Sequence, residues 1–254
     1  MELIFPDAGL ARRLETSEAH NVAEMAAESL EISGGIACFG GPTSPISHAI
    51  GVGLSGPVTE SDLDRMEDFY RSRGAPSNID LCPMADPALM EMLGKRGYRI
   101  TEFNNVLVLR VCSAMRDARV RIVGGDEIGV WTRTCITGFF EREDLTAEEM
   151  ALGANIVAMP GAEAFLAEID AAPLAAGAGA IREKLLFLFG DSTLPRARGK
   201  GLQSAIIRTR LAWGFEQGCD LATACTVPGT VSQRNYQREG FQVAYTKMNM
   251  LREF

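Results

Sequence analysis

Between Leu194 and Leu202 the chain sets three basic side chains, Arg196, Arg198 and Lys200, around two glycines, Gly199 and Gly201. Glycine lets a backbone approach a ligand closely, and the residues that follow open a helix whose first N–H groups lack partners and carry partial positive charge. The three basic side chains add full charges to those dipoles. Such a turn suits the cradling of a pyrophosphate. The apolar run before it, Leu185 to Phe189, reads as a buried strand ending at Gly190.

Three nucleotide motifs share this kind of turn. A Walker A loop closes on Gly-Lys-Ser/Thr, but here Gly199-Lys200 runs on to Gly201. A dinucleotide fingerprint wants a third glycine where Ser204 stands and an acid at the end of the next strand. The available acid, Asp220, precedes that strand. The R/Q-x-x-G-x-G/A signature of the GNAT superfamily of N-acetyltransferases is matched in register by Arg196, Gly199 and Gly201, and it fits best of the three. The resemblance continues to Tyr236, five residues before the Phe of a closing Gly240-Phe241. One departure is that Gly229 and Thr230 stand where many relatives carry an Asn that faces the cofactor.

This resemblance implies acetyl-CoA as cosubstrate, with its pyrophosphate on Arg196, Arg198, Gly199, Lys200, Gly201 and Leu202. The pantetheine arm would lie along the backbone of Ser192, Thr193 and Leu194, where the family's central strand splays. Tyr236 is the implied catalytic residue, a proton donor to the departing thiolate, with simple packing against Phe241 as its plainer role. An attacking amine must be neutral, although its ordinary pKa is about 10.4. No acid lies inside Leu185 to Gly190 to help. Glu183, Asp191, Glu168 and Asp170 flank the region and leave the general base open. The expected acceptor is a small-molecule or peptide amine. The rival expectation is a non-catalytic acyl-CoA-binding or protein-interaction module.

The elements that must position these residues fall into two similar series. The segment LGKRGYRITEFNNVLVL from Leu93 resembles YQREGFQVAYTKMNML from Tyr236, with Tyr98 aligned to Phe241. Strand, helix, strand, helix precede both, which marks a duplicated unit. The expected fold class is α/β (α+β), with two GNAT-like domains, each a mixed, mostly antiparallel sheet flanked by helices. Residues 1–115 form the copy without a cofactor loop, having Gly56-Pro57-Val58-Thr59 where the other copy has its arginine-glycine turn. Residues 116–254 form the acetyltransferase copy, with helices over 126–140, 146–159 and 202–217. The last of these is apolar on two sides and reads as a helix covered on both. In the first copy, helices are expected over 10–30 and from Thr59, and strands over 36–39 and 49–54.

Composition bounds the function classes. Among 254 residues, 46% hydrophobic and 23% charged describe an ordinary globular chain. A net charge of −8 argues against nucleic acid as the main partner. The six cysteines form no C-x-x-C pair and sit mostly in apolar segments, as reduced thiols in a cytoplasm would. The start, MELIFPDAGLARR, lacks the basic and long apolar regions of an export signal, and no stretch of about 18 apolar residues suggests a membrane span. No metal-ligand cluster is visible, and His20 and His48 read as structural or exposed. A homodimer stays open as an assembly.

Overall fold

The computed structural model describes residues 3–254, so the first two residues of the amino-terminal stretch lie outside it. The chain forms two compact units. One comprises Leu107–Cys225 and Gly229–Gln242, the other Leu3–Val106, Thr226–Pro228 and Val243–Phe254. The expected cut at 115/116 divides the chain into consecutive halves, whereas compactness divides it near Val106 and returns the last strand to the amino-terminal unit.

The amino-terminal unit begins with α1 (Ala8–Met25), capped by the Asp7 carboxylate on the Leu10 N–H. Its strands β1 (Glu28–Ile32) and β2 (Gly35–Phe39) form a hairpin. The expected helix through Leu30 is thus corrected. Ser33 and Gly34 both take positive φ, 44° and 78°, the geometry of a tight hairpin turn, so Gly34 serves a turn between strands and not a helix stop. Strand β3 is only Ala49–Ile50, because Gly51 and Gly53 turn the chain at positive φ where a strand to residue 54 was expected. There follow α2 (Glu60–Arg71), β4 (Ser77–Leu81), α3 (Pro87–Lys95) and β5 (Arg99–Arg110).

The final strand, β11 (Gln242–Arg252), runs antiparallel to β4, with Met250 opposite Ile79. Charge pairing fixes it there. Buried Lys247 of β11 reaches Glu18 at 2.8 Å and Asp80 at 3.1 Å, and the Tyr245 hydroxyl donates to Glu15 at 2.8 Å. Burial raises the Glu15 pKa to about 7 against the pull of Lys247.

The other unit carries β6 (Val120–Ile122), α4 (Ile128–Phe140), α5 (Ala147–Ile156), β7 (Ala162–Ile169), β8 (Ala172–Arg182), β9 (Leu185–Thr193), α6 (Leu202–Glu216), β10 (Leu221–Thr226) and α7 (Val231–Arg238). Strands β6 to β9 pair antiparallel in order, and β10 runs parallel to β9 after the α6 crossover. The result is a mixed, mostly antiparallel sheet flanked by helices.

Helix α6 is covered on both apolar sides over most of its length, with Phe215 near its end left exposed. Ile206, Ile207 and Leu211 are buried, and Trp213 meets Phe165 edge-on at 5.7 Å. Gly214 lets the helix settle on the sheet, since a Cβ there would come within 2.7 Å of Leu186. Truncating a fully buried Leu such as Leu186 to Ala would cost about 2–5 kcal/mol. Trp131 fixes α4 on the opposite face by donating its indole N–H to the Gly177 carbonyl at 3.0 Å.

Candidate active site

Strands β9 and β10 pair only from Leu185/Leu221 to Leu188/Ala224, yet β9 runs on to Thr193. The two therefore separate and leave one edge of Phe189 to Thr193 without a β10 partner. An extended ligand can use such an edge as another strand would.

A bulge re-aims the side chain at that point. Gly190 takes φ 65° within β9, and the register with β8 shifts around Gly177. Bulges bend a strand and redirect its residues. Asp191 is turned toward α6 and α7, where Arg210 donates to its Oδ1 at 2.5 Å and the Tyr236 hydroxyl donates to its Oδ2. Gly177 makes the room, because a Cβ there would meet Asp191 Oδ1 at 2.7 Å and Arg210 Cζ at 3.3 Å.

Arg210 is fully buried and also donates to the carbonyls of Ala178 at 2.6 Å and Phe189 at 3.2 Å. It reaches the Tyr236 oxygen at 3.3 Å as well. Removing one partner from such a buried pair typically costs about 3–5 kcal/mol, since the other charge is left uncompensated. Burial, then the adjacent Asp191 charge, pushes the Tyr236 phenol well above its ordinary pKa, with Arg210 opposing. The phenol therefore keeps its proton. Phe241 packs against its ring edge-on at 5.0 Å.

The turn before α6 has the expected openness. Gly199 and Gly201 take positive φ, 77° and 72°, as backbone nests for anions do. No side chain caps α6, whose N-cap is Gly201 itself. A Cβ at either glycine would meet nothing within 4 Å, so their role is conformation and access rather than packing.

These pieces border one cleft of about 640 Å³. Of the expected cofactor residues, Ser192, Thr193, Arg198, Gly199, Gly201 and Leu202 line it. Leu194, Arg196 and Lys200 do not. Leu194 is buried and its N–H is already given to the Leu174 carbonyl at 2.9 Å. Arg196 turns to Glu143 at 3.7 Å, and the Lys200 carbonyl accepts from Arg119 at 3.2 Å. Tyr236 does not line the cleft either and stands behind Asp191, which does. Of the four acids that flank the region, Asp191 alone among the described residues reaches the cleft. Glu168 is tied to Arg121 at 2.9 Å, while Asp170 and Glu183 occupy hairpin turns at positive φ.

Sequence reasoning missed the α4 wall and the lock between α6 and α7. Gly138 lies so close to β9 that a Cβ would clash with the Ser192 hydroxyl, which is buried and makes no hydrogen bond. Gln203 donates to Ser232 at 3.0 Å and accepts from Asn235 at 2.7 Å. Asn235 also lines the cleft, five residues beyond Thr230 of the position pair where many relatives carry their Asn. Arg210 did leave a signal, a cation inside a helix apolar on both sides.

The residues present fit a CoA-type ligand: a nest of N–H groups at an uncapped helix start, an unpaired strand edge, and a buried unpartnered hydroxyl. Among the described residues no group of three or more His, Cys, Asp or Glu side chains is placed to hold a metal ion. No described helix is long and apolar enough to cross a membrane. Four cysteines are buried, whereas Cys112 and Cys225 are exposed.

Residues 128–241 match the model of the acetyltransferase (GNAT) family. A GCN5-related N-acetyltransferase from Kribbella flavida is similar at 17% identity over 96% of each chain, with a TM-score of 0.74. A GCN5-related N-acetyltransferase from Sphaerobacter thermophilus is similar at 13% identity over 70% of this chain and 60% of that one, with a TM-score of 0.53. A tandem GNAT protein from the clavulanic acid biosynthesis pathway is similar at 11% identity over 85% of this chain and 76% of that one, with a TM-score of 0.57. No curated protein matches the chain. The likenesses at these identities show a GNAT fold, within which residues 128–241 match the acetyltransferase family.

Proposed function

We infer that this protein is a tandem GNAT N-acetyltransferase of the cytoplasm that transfers an acetyl group from acetyl-CoA to an amine. The observation that carries this reading is the splayed edge of β9 beside the uncapped, glycine-lined start of α6, in one cleft. When bound, acetyl-CoA supplies a thioester carbonyl open to an amine and a thiolate that must be protonated as it leaves. The N–H groups of Gly199 to Leu202, with Arg198, hold the pyrophosphate, and the free edge of Ser192 and Thr193 orients the arm. Tyr236 holds the proton the thiolate requires. To give it up, the phenol must turn from Asp191, with Arg210 steadying its oxygen. Asp191 faces the cleft and is the carboxylate placed to receive a proton from the acceptor amine, directly or through water.

A second reading, a CoA-binding module without turnover, draws on the same network, because the Tyr236 hydroxyl is buried and fully engaged. Incubation with acetyl-CoA and a broad panel of small and peptide amines separates the two. Acetylated product from at least one amine supports the transferase. CoA binding with no product across the panel favours the module, and no CoA binding overturns both.

A further inference from the structure

Helix α7 presents one face to the cleft through Val231, Arg234, Asn235 and Arg238, while Tyr236 points the other way into the core. Arg234 and Arg238 are a single turn apart, so their side chains project side by side. Both are exposed, and neither forms an ion pair among the described residues. The arginines of the glycine turn differ. Arg196 is matched by Glu143, and Arg198 by Glu141 at 2.7 Å.

Charge is therefore distributed unevenly along the cleft. At its inner end the single lining acid, Asp191, is neutralised by buried Arg210. At the α7 rim two guanidinium groups stand without counter-charge, on a chain whose net charge is −8. Two adjacent guanidinium forks suit a phosphate monoester, which offers several oxygens and close to two negative charges. The nucleotide of CoA carries such a group on its ribose, separate from the pyrophosphate. The reacting end of the ligand must lie at the β9 splay and its pyrophosphate at Gly199 to Leu202. Its ribose then continues outward, past the locked pair Gln203 and Asn235, to the α7 rim.

We propose that Arg234 and Arg238 form a binding site for the 3′-phosphate of CoA, so that this protein distinguishes CoA from 3′-dephospho-CoA. The assignment rests on the cofactor reading above and adds a residue pair and a ligand group to it. Because both side chains are exposed, their contribution weakens as salt rises.

The test is calorimetric titration of the full chain with CoA and with 3′-dephospho-CoA at low ionic strength. The wild type should bind CoA roughly tenfold or more tightly, the size expected for charge-assisted hydrogen bonds at a partly solvated site. In the double variant R234Q/R238Q that preference should vanish, with CoA weakened to the level of 3′-dephospho-CoA. Glutamine keeps helix propensity near that of arginine, and the affinity for 3′-dephospho-CoA reports whether the site is intact. Equal affinities in the wild type, or a preference that survives in the double variant, overturn the proposal while leaving the cofactor reading in place. Failure of both ligands to bind the wild type overturns the two together.

Discussion

Helices α6 and α2 do the same topological job in their respective units, each carrying the chain between two parallel strands, β9 to β10 and β3 to β4. Their first turns are built oppositely. At α2 the chain satisfies its own donors. The Thr59 hydroxyl accepts from the Asp62 N–H, the Asp62 carboxylate accepts from the Thr59 N–H at 2.9 Å, and the Asp86 carboxylate accepts from the Val58 N–H at 2.8 Å. Pro57 has no N–H to offer. At α6 two glycines at positive φ replace those residues, and no side chain caps the helix. An internal acid and an external phosphate satisfy the same dipole. The difference teaches that the same crossover accommodates a helix start closed by a capping box and one left open by two glycines.

Replacing Gly201 breaks the contrast most severely. Valine at φ 72° is strained by about 1–3 kcal/mol and places its branches where the proposed pyrophosphate would approach. Gly201→Val should lower CoA affinity more than about a hundredfold, given that a tenfold loss corresponds to 1.4 kcal/mol. The empty space around a Cβ at this position leaves the fold intact, which circular dichroism checks. The wild type should also titrate to one CoA per chain. Unaltered affinity in the variant, or two equivalents in the wild type, would abolish the distinction between the two helix starts.

Tyr236→Phe sharpens the comparison by separating binding from chemistry. Under the proposed function the phenol's proton is the group at stake, while the α6 turn would hold the ligand. kcat should fall roughly 10²-fold, the lower end of general-acid effects, because water can partly replace the hydroxyl. CoA affinity should shift little. Asp191 and Arg210 remain paired without the hydroxyl, so the expected loss of stability is that of one hydrogen bond to a charged group, about 1.5–3 kcal/mol. A kcat equal to the wild type, measured where the chemical step limits turnover, would leave Tyr236 as the packing partner of Phe241.

The physics of these residues explains what was legible beforehand. Glycine-turn conformation, the apolar run of β9 and the helix starts at Thr59 and Thr146, each closed by a capping box, are local, and all appear where the spacing put them. The hairpin at Ser33-Gly34 imitates a helix stop, because the same glycine serves either, and only pairing with β2 decides. The carboxylate that reaches the cleft is set by a bulge at Gly190 and by a glycine, Gly177, on the neighbouring strand. Neither has meaning until the register is known. The return of β11 to the amino-terminal unit depends on Lys247 meeting Glu18 and Asp80, partners more than 160 residues away in sequence at closest.

The smallest expected effect lies at the other end of the comparison, at Thr59. Thr59→Ala removes the hydroxyl that accepts the Asp62 N–H, and loss of such a cap costs about 1 kcal/mol, within a range of about 0.5–2. Denaturant midpoints should fall accordingly, and the amides of the first turn of α2 should exchange faster with solvent. No second CoA site should appear. The Val58 N–H stays committed to Asp86, Asp62 still carries its negative charge at the helix start, and Pro57 still lacks a donor, so one deletion frees a single N–H beside a repelling carboxylate. A variant that bound a second equivalent of CoA would show that Thr59 alone closes the amino-terminal unit. A variant with wild-type stability would show that Asp62 maintains the cap by its charge without the hydroxyl.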